Sequence, residues 1–484
     1  MTARFQLLKN TSLSISLNLV NKAANAIVFI IIARQAGVSQ AGVFSLAITY
    51  ILIFTAFSIG MDELLIRQVA RDRSMSSRYF GSFLFLRLVM SISLYLVLFV
   101  VVNYLFDYTP TTKFIILIMG LSIIPDGINY VGQALLTSHE RFNIPVVAAT
   151  VSGVVKLGGI WLINLYGIAP VYIGWVWILG STLSAVINSS AAFLISGKLD
   201  IRDWWDMDFW STQFKIGLPF LGIGTLATLE YQTDVVILSA VRSETDLGWY
   251  GAATTIIFAL AIIPQAYRTA VYPLMVRYNE ADESSLGRVF DLSFTYLGIA
   301  ALPIAVGITL LSPQIIEYVY GPEFFGSKIP LAVLSWALVF MFLNVPNSRM
   351  MLVKDRQSWA LRFLIGSLSI NIILNLILNP FLGATGAAIA RLSTVIVFFV
   401  PNYWYVVHNL HAHNLIESLG RAVLAAIIMG GLVWITRDFG LWIAIFTGVV
   451  TYILALILLK ALPGDEKKWV LEAIDKLPQL FGKG

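Results

Sequence analysis

The stretch GSFLFLRLVMSISLYLVLFVVVNYLF, Gly81 to Phe106, holds 26 residues and a single charge, Arg87. An α-helix rises about 1.5 Å per residue, so this length crosses a hydrocarbon layer of about 30 Å with residues to spare. A strand-built pore would alternate apolar and polar residues over segments of about 10. The run does not alternate, and it reads as a membrane-spanning helix. Similar runs, bounded by charge, Gly and Pro, fall near residues 12-36, 41-60, 81-106, 114-138, 144-166, 171-197, 215-240, 249-276, 289-311, 331-353, 359-380, 384-407, 420-436 and 441-460.

Composition supports the same reading. Of 484 residues, 58% are hydrophobic and 12% charged, about half the charged share of a soluble domain. Fourteen spans leave too few residues for a sizeable soluble domain. The expected fold is all-α: a polytopic membrane protein of about 14 transmembrane helices, two six-helix pseudo-symmetric halves plus two C-terminal helices. The first apolar run is long and is interrupted by Asn18, Asn21, Lys22 and Asn25, so it is expected to be a span and not a cleaved signal.

The loops carry the topology signal. One set of alternate loops and tails holds 20 Lys and Arg, the other 5, a bias that places both termini in the cytoplasm and requires an even number of spans. The net charge of +5 is scattered over short loops and not clustered with aromatics, so nucleic acid is not expected as a partner. There is no Cys, which excludes disulfides and thiolate sites. His408, His411 and His413 share a short polar stretch, which reads as a solvated loop and not a metal site, since no acidic or thiol ligand completes it.

An internal repeat organises the chain. The turn Gln40-Ala-Gly-Val-Phe-Ser-Leu-Ala is echoed by Asp246-Leu-Gly-Trp-Tyr-Gly-Ala-Ala, and Tyr166-Gly167 by Leu382-Gly383. Both repeats start from the same side of the membrane, so they are parallel and related by an axis along the membrane normal, with a cavity expected between them. The boundaries read as 1-197 for an N-terminal six-helix half and 198-214 for a Trp-rich interfacial linker. Then come 215-410 for the second half, 411-460 for two additional helices and 461-484 for a cytoplasmic tail.

Polar residues inside spans are costly and mark cavities, partners or polar contacts between helices. Ser14, Asn18, Asn21 and Asn25 share one helical face, as do Asn371, Asn375 and Asn379, and as do Asp126, Asn129 and Gln133. The cations within or near the ends of spans are Lys22, Arg34, Arg87, Lys156, Arg268 and Arg391; the acids are Asp126, Glu230 and Asp234. Arg34 and Arg87 lie close enough to span ends to snorkel. The surplus of cations suits a large anionic substrate, with phosphate oxygens taking charge-assisted hydrogen bonds, so these six are the candidate substrate-binding residues. Glu230 and Asp234, four residues apart, share a helical face. With Asp126 they are candidates for coupling to H+ or Na+, or else counter-ions to Lys22 or Arg268. There is no phosphate-cradling loop and no H-E-x-x-H, so the chain does not read as an enzyme and needs no further cofactor.

With the spans and repeats in place, the chain resembles the polysaccharide exporter branch of the multidrug/oligosaccharidyl-lipid/polysaccharide flippase superfamily over essentially its whole length. The resemblance is carried by Ala33-Arg34-Gln35-Ala36-Gly37 through Gly42-Val-Phe-Ser-Leu-Ala47, and by Gly60 with Arg67 and Ala70. Further on it is carried by Tyr320-Gly321-Pro322-Glu323-Phe324 and Asn379-Pro380-Phe-Leu-Gly383-Ala-Thr-Gly386-Ala-Ala. It implies alternating-access movement of an undecaprenyl-diphosphate-linked oligosaccharide from the cytoplasmic to the outer leaflet of the cell membrane. It also implies that the two extra spans form a lipid-facing groove for the prenyl tail. A glycan polymerase and glycosyltransferases are the expected protein partners, and the chain is expected to act as a monomer. The alternative is an ion-coupled exporter of small molecules or drugs of the multidrug branch, which would favour an acidic, aromatic cavity over a basic one.

Reporter fusions after Lys9, within 198-215 and at the C-terminus are expected to report cytoplasm, and a fusion at Pro322 the outside. An outer C-terminus would exclude the fourteen-span topology.

Overall fold

The computed structural model describes residues 3–197, 207–281 and 283–461, and among them every regular element is helical. In order they are α1 (Ala3–Arg71), α2 (Ser76–Val100), α3 (Pro110–Gly120), α4 (Ile123–Ser138), α5 (Asn143–Leu165), α6 (Ile173–Ser196), α7 (Met207–Val241) and α8 (Glu244–Leu260). They continue with α9 (Ile262–Ala281), α10 (Glu283–Tyr320), α11 (Lys328–Val353), α12 (Gln357–Leu382), α13 (Ala384–Asn409), α14 (Leu415–Thr436) and α15 (Leu441–Leu458). Twelve helical stretches among the described residues are long and apolar enough to cross a membrane. The first is 46 residues long and joins two spans across Gly37, whose φ of 81° breaks the helix within α1. With that stretch divided at Gly37 and the 35-residue α7 counted as a span, each of the fourteen expected spans has its helix.

Helices are the fitting solution because each backbone N–H and C=O is satisfied within its own segment, where hydrocarbon offers no partner. Proline stands inside five of the later helices, at Pro273, Pro303 with Pro313, Pro346, Pro380 and Pro401, a placement that membrane helices tolerate. Residues 207–214 of the expected linker are the first turns of α7. Its remainder, 198–206, and the tail from 462 lie outside the described residues.

The chain divides into two compact units. The first takes Met1–Ala259, Val319–Pro330 and Leu364–Ala390. In it α1 packs along α7, α5 and α4, and α6 packs on α4 and α5. One end is filled by Leu64, Leu65, Val69, Phe80, Leu135, Leu136 and Ala192, all buried. The turn after α10 is set into this unit: the Tyr320 hydroxyl donates to the Ala252 carbonyl at 3.0 Å, Tyr320 meets Phe29 edge-on, and Trp249 Nε1 donates to the Glu323 carbonyl.

The repeated turns meet at their matched glycines. A Cβ on Gly42 would stand 2.8 Å from the Gly248 amide nitrogen and would collide with the Glu244 carbonyl, while a Cβ on Gly248 would collide with the Val38 carbonyl. Small residues let membrane helices approach backbone to backbone, and here each repeat supplies the small residue at the equivalent position.

The second unit takes Leu260–Tyr318, Leu331–Phe363 and Arg391–Gly484. Its core holds Phe290, Phe294, Leu338, Phe342 and Phe399. The additional pair of helices packs on α10: Tyr452 donates to the Ile299 carbonyl at 2.8 Å, and Leu419 and Val306 fill the space above Gly298 and Gly430.

Gly42→Ala and Gly248→Ala are expected to destabilise the protein by about 1–3 kcal/mol each, as overpacking against backbone does. Thermal unfolding in detergent, followed by loss of the monodisperse chromatographic peak, measures it.

Candidate functional site

Most of the candidate residues lie in the first unit. Arg87, on α2, is 2% exposed and donates through Nη2 to Asp62 Oδ1 at 2.6 Å. Its Nε and Nη1 have no hydrogen-bond partner among the described residues, so this buried guanidinium is only partly satisfied. The small face of Gly127 makes room for the Arg87 stem and for Ser91. Arg87 does not snorkel; it is tied to a carboxylate on the second segment of α1.

A second acid–base couple lies on α4 and α5. Asp126 and Lys156 attract one another, and the Lys156 ammonium sits 3.8 Å above the Trp177 ring, a cation–π contact. Gly180 leaves the space that the Lys156 methylenes occupy. Tyr130, on α4, lies within electrostatic range of Asp126, Asp62 and Arg87, so the two couples share one polar region. Asn129 continues the stripe of Asp126 and accepts from Asn188 at 2.8 Å and from Ser184 at 3.1 Å.

Asp234, on α7, is fully buried and receives three hydrogen bonds. The donors are the Tyr250 hydroxyl at 2.6 Å and the amides of Asn371 and Asn375 at 2.8 Å each. Asn379 in turn donates to Asn375 Oδ1 at 3.0 Å. The polar stripe of α12 is therefore buried on Asp234, and Glu230, also buried, stands one turn before it. The stripe of the first span differs: Asn21 and Asn25 are exposed, and Lys22 beside them is half-buried; the side chain of Asn18 lies outside the described residues. Arg34 is exposed and donates through Nε to the Val319 carbonyl at 2.6 Å.

In the second unit Arg268, on α9, is exposed and Arg391, on α13, is 4% exposed. Arg268 stands in repulsive range of Arg349 on α11, whose guanidinium lies 5.3 Å from the Tyr272 ring. No ion pair among the described residues involves Arg268 or Arg349.

The histidine stretch is more ordered than a solvated loop. His411 Nε2 is 3.0 Å from Asp291 Oδ1. His413 meets the Tyr403 hydroxyl at 3.0 Å and Ser418 Oγ at 2.8 Å, with its side chain 2% exposed against Phe294. Burial pushes the His413 imidazole below its usual pKa, against the opposing pull of Asp291. His408, exposed, stacks on Trp404.

Three charged or polar groups escaped the sequence reading. Arg349 lies inside a span and answered the same rule as Arg268. Asp62 follows a span end, where a carboxylate is ordinary, and only the fold brings it to Arg87. Tyr250 carries no charge and gave no signal.

The fold is that of a polytopic helical membrane protein with paired charges inside its spans. The polysaccharide biosynthesis protein family matches residues 31–328. The chain belongs to this family. Two Haloferax volcanii proteins are similar in part. "Probable low-salt glycan biosynthesis flippase Agl15" is 24% identical over 227 residues, 45% of this chain and 48% of its own length. "Probable flippase AglR" is 28% identical over 166 residues, 34% of this chain and 35% of its own. The match thus spans half or less of either relative. Among solved structures, a lipid II flippase MurJ in an inward closed conformation superposes with a TM-score of 0.76 at 16% identity, covering 92% of this chain and 97% of the other. An inward-facing multidrug resistance MATE transporter superposes at 0.67 with 15% identity, covering 81% and 98%. Both share the fold.

The Arg87–Asp62 couple is expected to obey the logic of a buried ion pair. Arg87→Met or Asp62→Leu alone should cost about 3–5 kcal/mol, and the double replacement much less. Unfolding temperatures of the three variants in detergent check it; additive losses would show that the pair does not act as a unit.

Proposed function

We propose that this protein is a flippase that carries a lipid-linked oligosaccharide, of the undecaprenyl-diphosphate type, from the cytoplasmic to the outer leaflet by alternating access, for the synthesis of a cell-surface polysaccharide. The observation that supports it most directly is Arg268 beside Arg349, two cations with no carboxylate paired to them among the described residues. Each guanidinium can take two phosphate oxygens in parallel, and two together match a diphosphate. Like charges placed together within spans are costly, and an anionic ligand relieves that cost. Lys22, Arg34, Arg87, Lys156 and Arg391 are the further substrate-binding candidates. Of these, Arg87 and Lys156 already hold a carboxylate that an arriving phosphate would have to share.

Asp234 is assigned to ion coupling, with Glu230 and Asp126 as the other carboxylates. The carboxylate itself offers the oxygens for a proton or Na+, while the Asn371 and Asn375 amides around it donate N–H groups to it. The loop charges support a cell-membrane protein with both termini cytoplasmic, and the internal repeat supports two six-span halves followed by two further spans. A glycan polymerase and glycosyltransferases are its natural partners, and the working unit is a monomer. The multidrug transporters that share the fold motivate a second reading, ion-coupled export of small molecules, which the surplus of span cations disfavours.

Translocation of labelled lipid-linked oligosaccharide in proteoliposomes tests this. Arg268→Gln and Arg349→Gln should each lower the rate about ten-fold or more, the loss of one charged hydrogen-bonding group, at unchanged protein abundance, with Lys restoring part of it. Asp234→Asn should abolish dependence on an imposed pH or Na+ gradient while substrate binding survives. Normal rates in both arginine variants would overturn the diphosphate assignment, and an intact gradient dependence the coupling assignment.

A further inference from the structure

At one end of the second unit an open cavity of about 720 Å³ lies where α10, α13, α14 and the end of α15 meet. That size falls within the range of small-molecule sites, and none of the substrate or coupling candidates lines it. Two cations and two carboxylates do: Arg421 and Lys460, Asp291 and Glu417. Hydrogen bonds at the rim arrange them. Arg421 Nη1 donates to the Lys460 carbonyl at 2.7 Å, which sets both cations at the α14–α15 side. Asp291 is held toward the histidine loop by His411 at 3.0 Å. Glu417 lies one turn before Arg421 on α14 and faces the same cavity. On the neighbouring helix ends the apolar side chains of Ile416 and Leu458 are 81% and 80% exposed.

We propose that this cavity binds the headgroup of a phospholipid that carries a primary amine, with its phosphate against Arg421 and Lys460 and its ammonium against Glu417 and Asp291. A purely anionic headgroup would set its phosphate near two carboxylates with no cation to offer them. A choline headgroup has the right charges but no N–H to donate to either carboxylate. The exposed Ile416 and Leu458 favour a lipid over a soluble phosphoamine of the same chemistry, since only the lipid brings chains to cover them. The ligand is distinct from the transported substrate, and the site is on the side proposed to be cytoplasmic.

The test is native mass spectrometry of the full chain taken from nanodiscs of equal phosphatidylethanolamine, phosphatidylcholine and phosphatidylglycerol. The wild type should retain one phosphatidylethanolamine about ten-fold more often than either other lipid, the discrimination expected of charge-assisted hydrogen bonds. Arg421→Gln combined with Lys460→Gln should abolish that retention. Glu417→Gln, chosen because Asp291 also anchors His411, should shift retention toward phosphatidylglycerol. All three side chains are exposed, and an unchanged unfolding temperature certifies each variant. Equal retention of the three lipids by the wild type, or undiminished retention by the double variant, overturns the proposal. Millimolar phosphoethanolamine in the wash should leave the lipid in place; displacement by it would assign the cavity to a soluble phosphoamine and overturn the lipid assignment.

Discussion

Hydrocarbon gives a polar group nothing to bond to, and this single constraint shapes the molecule from its backbone to its charges. It makes every regular element among the described residues a helix, and it makes a charge inside a span costly unless it brings its own company. Asp234 does so with Tyr250 and two asparagines, Arg87 with Asp62, and Lys156 with Asp126 and the face of Trp177. Each arrangement joins residues far apart in sequence, so the polar groups fix which helices are neighbours. Apolar packing alone specifies this weakly in a bilayer, where lipid tails are as apolar as leucine.

Against that background the Arg268–Arg349 pair is the exception. It concentrates like charge, whereas Arg87 and Lys156 each face a carboxylate. Sites that break a local rule are where function is expected, and the functional reading rests there for that reason. The first unit holds the Arg87–Asp62 and Lys156–Asp126 couples and the buried Asp234 centre, and the second holds the two arginines.

The fold was legible because its signal is long and one-dimensional. Apolar runs, loop charges and the echoed turns sufficed for fourteen spans, and each run has its helix. The continuity of the first two spans through Gly37 was not legible, because a glycine between apolar runs looks the same at a loop as at a kink. The stripes were visible as stripes, but not their partners. Asn371 and Asn375 announced a polar face, and only the fold shows that face closed on Asp234. The histidines misled for a related reason: a polar stretch of this kind reads as solvated, yet Tyr403 and Ser418 are placed to bond His413. Arg349 was within reach of the same rule that singled out Arg268.

The meeting of Gly42 with Gly248 has a consequence for registration. Side chains that interlock can slide by a rotamer change, but main chain against main chain has no such slack. Moving either turn along the other by one residue would bring the Cβ of Ala41 or Val43 to a point where even a methyl group cannot stand. The first two spans and the seventh and eighth are therefore pinned at a common height by their backbones. Their alignment is a property of the polypeptide and does not have to be restored by the bilayer each time its thickness fluctuates.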